Sequence, residues 1–253
     1  MKQISEDIMK KKYFIFDIDG TLVDSMVMWN LIDQKVLYDN FGITVAAEDI
    51  KAFRDSILYD DRNVSGDIYA IYYDEFVKLF NLGITGKDFK RLRYELATYL
   101  SVNELDFKDG AAEFIVALNE MGKKIAVAST TTKKQYRIYE DLNQKMIKKA
   151  PLKKIVDEVV LCEDVTRKKP APEAYLLVMK RLGAKPEECI VFEDSLNGVL
   201  AAKQAGLEVV AVYDDSAKNE QELIGKIADY RIESFDEMIK ALGIAEYMTG
   251  YEF

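Results

Sequence analysis

The sequence predicts an α/β protein in which a parallel sheet is combined with an inserted, all-helical block. Short apolar runs alternate with helical patterns through the second half of the chain, which is typical of parallel strands joined by crossover helices. One buried strand precedes this alternation, at Tyr13–Phe16, and residues 25–101 contain no convincing strand pattern. We therefore expect an α/β core domain formed by residues 1–23 and 106–253, with residues 24–105 as a helical cap domain.

The cap is predicted from apolar residues that recur at helical spacing in three places. These places are Ile32–Phe41, Ile68–Phe80 and Phe89–Leu100. Between the first two, residues 54–66 are interpreted as a loop. Residues 102–110 are interpreted as the linker that returns the chain to the core.

The core is predicted to continue with five more strands and six helices. The predicted strands are 124–128, 156–162, 189–192, 209–212 and 230–232, the last being a short edge strand. The predicted helices are 114–121, 133–149, 173–182, 196–205, 218–228 and 235–242. Helix 133–149 is rich in lysine, and we interpret its charges as a solvated face.

Charge and composition limit the partners. The chain has 253 residues, 49% of them hydrophobic and 31% charged, which is ordinary for a folded protein. Its formal net charge of −9 disfavours nucleic acids and anionic membranes, which are also negative. Residues 1–12 are rich in charge without an apolar signal region, and no apolar run reaches membrane-spanning length. We expect a cytoplasmic protein with no nucleic-acid or membrane partner, as a monomer or a weak dimer.

The chain has no histidine and two cysteines, Cys162 and Cys189. The lack of histidine excludes Ser-His-Asp and Cys-His catalysis and histidine-ligated zinc. Both cysteines lie in apolar, strand-like runs and are interpreted as buried, reduced thiols. Chemistry in this chain must therefore use carboxylates, lysine, hydroxyl groups, or a metal held by oxygen ligands.

Polar residues follow four of the predicted strands. They are Asp17, Asp19 and Gly20 after the first strand, Ser129 and Thr130 after the second, Lys169 in the segment after the third, and Glu193 and Asp194 after the fourth. In open α/β sheets the functional groups collect at the carboxyl ends of the strands. Asp17 and Asp19 should project to the same side, and paired carboxylates indicate cation binding or acid–base chemistry.

The order of these residues resembles the haloacid dehalogenase (HAD) superfamily. Asp-Ile-Asp-Gly-Thr-Leu-Val-Asp-Ser at 17–25 resembles its nucleophile motif. Lys-Pro-Ala-Pro-Glu at 169–173 and Phe-Glu-Asp-Ser-x-x-Gly at 192–198 look like its third and fourth motifs. The helical block after the first motif looks like the cap of the subgroup that contains β-phosphoglucomutase and many small-molecule phosphatases. The resemblance implies a HAD-like Rossmannoid core with an inserted cap.

The resemblance also implies phosphoryl transfer. Asp17 would attack phosphorus and form an aspartyl-phosphate, and Asp19 would act as general acid and then general base. Ser129 and Lys169 would hold the phosphoryl oxygens. The residues alone also allow a helix cap for Ser129 and a surface position for Lys169, and they do not exclude Lys168 as the phosphate-binding lysine. Gly20 and Thr130 are further candidate substrate contacts, although Thr130 could equally serve as a helix cap.

The implied cofactor is Mg²⁺, which would neutralise charge between a carboxylate nucleophile and an anionic phosphate. Its ligands would be Asp17, the backbone carbonyl of Asp19, and Asp194, with Glu193 nearby. Adjacent strand residues face opposite ways, so Asp194 is favoured over Glu193 as a direct ligand unless the chain turns there.

The implied substrate is a small soluble phosphate ester, such as a sugar phosphate or a nucleotide. Arg54 or Arg62 of the cap is a candidate contact to it, or else an ordinary surface arginine. The segment Ser25–Trp29 lacks the histidine that β-phosphoglucomutase has near the cap hinge, and the cap is rich in acid and tyrosine. These features favour a phosphatase over a sugar phosphomutase. A non-catalytic module that binds phosphorylated metabolites is a third hypothesis.

Overall fold

The structure is a computed structural model that describes residues 7–58 and 68–244. These residues form two compact units. One unit contains the described residues up to Ser25 and those from Val102 onward, and the other is Met26–Ser101. No described helix is both long enough and apolar enough to cross a membrane.

The first unit is built on a six-stranded sheet in the order β3-β2-β1-β4-β5-β6, with every pair parallel. The strands are β1 (Tyr13–Phe16), β2 (Lys124–Ala128), β3 (Glu158–Val160), β4 (Cys189–Glu193), β5 (Glu208–Val212) and β6 (Tyr230–Ile232). This confirms the predicted parallel α/β fold and the edge position of β6. Strand β3 is shorter than predicted, because Cys162–Asp164 forms a 3₁₀ turn, and Cys162 is only partly buried there.

The central strand β1 is buried along its whole length between β2 and β4. Phe16 pairs with Phe192, and the two rings stack with centroids 4.7 Å apart. The ladder continues one residue further, since the amide of Asp17 donates to the carbonyl of Phe192 at 3.0 Å. This register brings the residues that follow β1 next to those that end β4.

The described residues of the second unit form helices joined by short connections, with no strand among them. Its helices are α1 (Met26–Phe41), α2 (Ala47–Leu58), α3 (Ile68–Leu79) and α4 (Gly86–Asn103). The interpretation of residues 54–66 as a loop was wrong for its first part, because Arg54 lies within α2. The cause is local: Glu48 and Asp49 favour a helix start, and Ile50, Phe53 and Ile57 recur at helical spacing toward an aromatic core. Residues 59–66 of that segment, including Arg62, lie outside the described residues.

A buried ion pair lies inside this helical unit. Arg93 on α4 donates from Nε to Oδ1 of Asp33 on α1 at 2.7 Å, and both side chains are almost fully buried. The hydroxyl of Tyr72 on α3 donates to the other oxygen of Asp33 at 2.9 Å. Because both charges are paired and hydrogen-bonded, the interaction fixes the relative positions of these three helices.

The remaining helices belong to the first unit. They are α5 (Ala111–Glu120), α6 (Lys133–Arg137), α7 (Gln144–Lys149), α8 (Leu152–Ile155), α9 (Glu173–Leu182), α10 (Leu196–Gln204), α11 (Gln221–Ile227) and α12 (Phe235–Leu242). The prediction of one continuous helix over 133–149 was wrong. A π-helical turn at Ile138–Leu142 follows α6, and Asn143 then caps α7 through its side chain. The predicted return linker was also too long, since α4 continues to Asn103.

Gly110, at the N-terminus of α5, packs closely against the start of α12. It has a φ of +75°, and a Cβ there would lie 2.5 Å from the amide nitrogen of Asp236. Gly122, just after the same helix, has a φ of +72° with no neighbour within 4 Å of the equivalent position. We expect Gly122→Ala to cost about 1 kcal/mol of unfolding free energy from backbone strain alone. Gly110→Ala should lower the free energy of unfolding by at least about 2 kcal/mol more than Gly122→Ala does, because the added methyl group forces α12 to move.

Urea denaturation of the two variants and the wild type measures this difference. Equal losses in the two variants would contradict the close packing of the α5 N-terminus against the start of α12.

Candidate active site

Three buried carboxylates meet at the carboxyl ends of β1 and β4. Asp17, Glu193 and Asp194 each offer an oxygen, and these oxygens lie within 4.8 Å of one another. Asp17 follows the last residue of β1, Glu193 ends β4, and Asp194 follows it. The register of β1 and β4 therefore determines that these three charges share one space.

Lys169 partly compensates this negative charge. Its Nζ donates to Oδ1 of Asp17 at 2.6 Å, to the carbonyl of Ala128 at 2.8 Å, and to Oε1 of Glu193. Its side chain is only 4% exposed, whereas Lys168 is exposed. The structure thus brings Lys169, and not Lys168, into contact with the carboxylates.

Glu193 is held by protein groups on both of its oxygens. Oε1 accepts from the hydroxyl of Tyr175 at 2.6 Å as well as from Lys169, and Oε2 accepts from Oγ of Ser195 at 3.2 Å. Gly198 lies so close that any Cβ at its position would overlap the carboxylate. Asp194, in contrast, receives one side-chain hydrogen bond from the described residues, from Oγ1 of Thr21 to Oδ1 at 2.6 Å.

Burial and mutual repulsion alter the protonation of this cluster. Burial raises the pKa of Asp17 to about 7, with Glu193 adding to the rise and Lys169 opposing it. Burial also raises the pKa of Asp194 well above its usual value, and the charges of Glu193 and Asp17 add to this effect. Burial on its own would lower the pKa of Lys169, but the attraction of Asp17 and Glu193 outweighs it and the pKa is raised. The cluster therefore favours an added positive charge, either a proton or a cation.

Asp19 lies in the loop that follows β1, beside two hydroxyl groups. Its Oδ1 accepts from Oγ of Ser25 at 2.7 Å and from the hydroxyl of Tyr139 at 2.7 Å. Neither Tyr139 nor Tyr175 was predicted from the sequence as a site residue. Both tyrosines lie in segments that the sequence predicts as helices from apolar and charged residues alone. No local sequence pattern indicates that a buried hydroxyl donates to a carboxylate far away in the sequence.

The other candidate residues of this unit lie around the same strand ends. Ser129 is buried after β2, and its Oγ accepts from the amide of Thr131 at 3.3 Å. The cap of α6 is Thr132, which accepts from the amide of Gln135, so Ser129 is not a helix cap. Thr130 is exposed. The carbonyl of Gly20 accepts from Nζ of Lys108 at 2.9 Å, a contact that the sequence did not predict.

Arg54 belongs to the helical unit and is engaged there. Its Nη2 donates to Oδ1 of Asn30 at 3.2 Å, and its Nη1 lies at the hydrogen-bond limit from the carbonyl of Trp29. The assignment of Arg54 to substrate remains a prediction.

Comparison with known proteins identifies the class. Residues 11–206 match the family model of the haloacid dehalogenase-like hydrolases, and the chain belongs to this family. This confirms the resemblance carried by the motifs at Asp17, Lys169 and Phe192, and with it the expectation of a hydrolase enzyme.

Individual relatives come from several bacteria. The chain is 36% identical over 135 residues to YhcW of Bacillus subtilis, a match covering 53% of this chain and 57% of that protein. It is 28% identical over 194 residues to the phosphorylated carbohydrates phosphatase of Thermotoga maritima, covering 77% of this chain and 81% of that protein. A solved structure of mutant CbbY from Rhodobacter sphaeroides in complex with xylulose-1,5-bisphosphate aligns with a TM-score of 0.64 and 25% identity, covering 90% and 96% of the two chains.

The raised pKa of Asp194 predicts how stability depends on pH when divalent cations are chelated. The folded chain binds this proton more tightly than the unfolded chain, so stability falls as pH rises from about 4 through the folded-state pKa. Asp194→Asn removes the charge but keeps an oxygen to accept from Thr21. In chelator at pH 8, this variant should be more stable than wild type by about 1–3 kcal/mol. The difference should shrink as pH approaches about 4.

Urea denaturation across this pH range, with and without excess Mg²⁺, measures the effect. Added cation should stabilise the wild type and leave the variant nearly unchanged. If Asp194→Asn were less stable than wild type in chelator at pH 8, this would contradict the inference that the charge of Asp194 destabilises the folded chain when no cation is bound.

Proposed function

We propose that this chain is a cytoplasmic, Mg²⁺-dependent phosphatase that hydrolyses a small soluble phosphomonoester through an aspartyl-phosphate. The single observation that carries the proposal is the buried cluster of Asp17, Glu193 and Asp194 with the ammonium group of Lys169 beside it. Clustered buried carboxylates of this kind are typical of sites that bind a cation together with a phosphoryl group.

The donor set fits Mg²⁺. All candidate ligands are oxygens, as a hard cation requires, and the pKa values of Asp17 and Asp194 are raised without one. Asp17, Asp194 and the backbone carbonyl of Asp19 would hold it. Both oxygens of Glu193 are engaged by protein donors, so we assign Glu193 to orienting Lys169 rather than to direct ligation. When bound, Mg²⁺ supplies the charge neutralisation that lets an anionic phosphate approach the carboxylates.

The chain's own residues divide the remaining work. An oxygen of Asp17 attacks phosphorus, and the bond from phosphorus to the ester oxygen breaks. The leaving oxygen takes a proton from Asp19, which then accepts a proton from the water that hydrolyses the aspartyl-phosphate. Lys169 stabilises the phosphoryl oxygens as a fixed positive charge, and Ser129 can donate its hydroxyl to them.

The substrate class is proposed from the relatives and the charge. The Thermotoga maritima relative is named a phosphorylated carbohydrates phosphatase, and CbbY was crystallised with xylulose bisphosphate. These names favour a sugar phosphate over a nucleotide as the substrate. The two free cysteines agree with a reducing compartment.

Phosphate release from a panel of sugar phosphates, nucleotides and p-nitrophenyl phosphate tests this function. We expect release that requires Mg²⁺ and that falls by at least about 10³-fold in Asp17→Asn, because the nucleophile is lost. Asp109→Asn makes the same substitution at an exposed position in the same unit and should keep wild-type activity.

Other outcomes separate the alternatives. An isomerised sugar phosphate with little free phosphate would contradict hydrolysis and point to a phosphomutase. If the wild type released no phosphate from any ester of the panel in the presence of Mg²⁺, this would contradict the phosphatase proposal.

A further inference from the structure

Tyr139 is a buried residue whose hydroxyl reaches the loop after β1. Its ring is fully buried, and its hydroxyl donates to Oδ1 of Asp19 at 2.7 Å. Nε2 of Gln135 donates to the same hydroxyl at 3.0 Å. Because the tyrosine oxygen already accepts from Gln135, its own proton is directed at Asp19.

The contact to Asp19 comes from an irregular stretch of backbone. Tyr139 lies in the π-helical turn Ile138–Leu142, between α6 and α7. π-helical turns in otherwise α-helical segments occur frequently at functional sites. The turn is closed at its C-terminal end by Asn143, whose backbone amide donates to the carbonyl of Ile138.

A neighbouring tyrosine shows that burial alone does not require such a partner here. Tyr136, on α6, is also buried, and its hydroxyl has no hydrogen-bond partner among the described residues. The two tyrosines therefore share a segment and a buried environment, yet only Tyr139 has its hydroxyl on a carboxylate. The contact to Asp19 is thus a specific feature of position 139.

The contacts on Asp19 are unequal between its two oxygens. Ser25 and Tyr139 both donate to Oδ1. Among the described residues, no hydrogen bond is formed to Oδ2. A carboxyl group held in this way has one oxygen fixed by the protein and the other available to carry and exchange a proton.

We propose that Tyr139 is a positioning residue that holds Oδ1 of Asp19, so that Oδ2 exchanges the proton during phosphoryl transfer. This inference rests on the proposed function. In the first step Asp19 gives the proton on Oδ2 to the ester oxygen as the phosphorus–oxygen bond breaks. In the second step Oδ2 takes a proton from the attacking water. Tyr139 keeps its own proton throughout and acts only through Asp19.

Leaving groups of different basicity separate this role from a structural one. An alkyl ester oxygen needs protonation as it leaves, whereas p-nitrophenolate leaves readily without it. We therefore compare kcat/KM for p-nitrophenyl phosphate and for the best sugar phosphate, using wild type and Tyr139→Phe. The variant should lose about tenfold or more on the sugar phosphate and less than about threefold on the aryl ester.

Tyr136→Phe is the matched control, because it removes a hydroxyl of the same segment that has no hydrogen-bond partner in the described part of the chain. This variant should keep both rates. Ser25→Ala removes the other donor to Oδ1 and should shift the ratio of the two rates in the same direction as Tyr139→Phe. Circular dichroism establishes that each variant is folded.

Equal losses on both esters in Tyr139→Phe, or no loss on either, would overturn the positioning role while leaving the proposed function intact. Absence of wild-type turnover on both esters would overturn the proposed function and this inference together.

Discussion

The central physical constraint in this protein is an excess of buried negative charge at the end of the sheet. Asp17, Glu193 and Asp194 lie together in a space where water is largely excluded, and Lys169 contacts only two of them. Such an arrangement is costly without a ligand, because like charges in a low-dielectric environment repel strongly. The fold tolerates this cost where the cluster has a function, and the raised pKa values of Asp17 and Asp194 are its signature.

The rest of the first unit supports this cluster. The direct pairing of β1 with β4 sets the spacing between Asp17 and Glu193, and the carbonyl of Ala128 on β2 helps to aim Lys169. Tyr175 and Ser195 hold Glu193, and the missing side chain of Gly198 makes room for it. Rigid strands and buried hydroxyl groups thus hold the charges in a fixed geometry, as preorganised catalysis requires.

Much of this arrangement was predictable from the sequence, because strands and motifs are local. The limits of β2, β6, α9 and α12 match the predicted ones, since their apolar patterns are bounded by clear breaks. The residues after each strand were predicted because parallel topology brings strand ends together. Tyr139 was not predictable, because the lysine-rich pattern of 133–149 hides the π-helical turn. The hydroxyl of Tyr139 donates to Asp19, which lies far away in the sequence. This contact is therefore visible only in the tertiary structure.

The most direct test of this account is to trap the proposed aspartyl-phosphate intermediate. Asp19→Asn should still be phosphorylated by p-nitrophenyl phosphate, whose leaving group needs no proton, but should hydrolyse the adduct slowly. Rapid acid quench during the burst, followed by peptide mass spectrometry, locates the phosphoryl group. We expect a stoichiometric burst of nitrophenol with the phosphoryl group on Asp17. A phosphoryl group on any other residue, or a burst without a phosphorylated peptide, would contradict it.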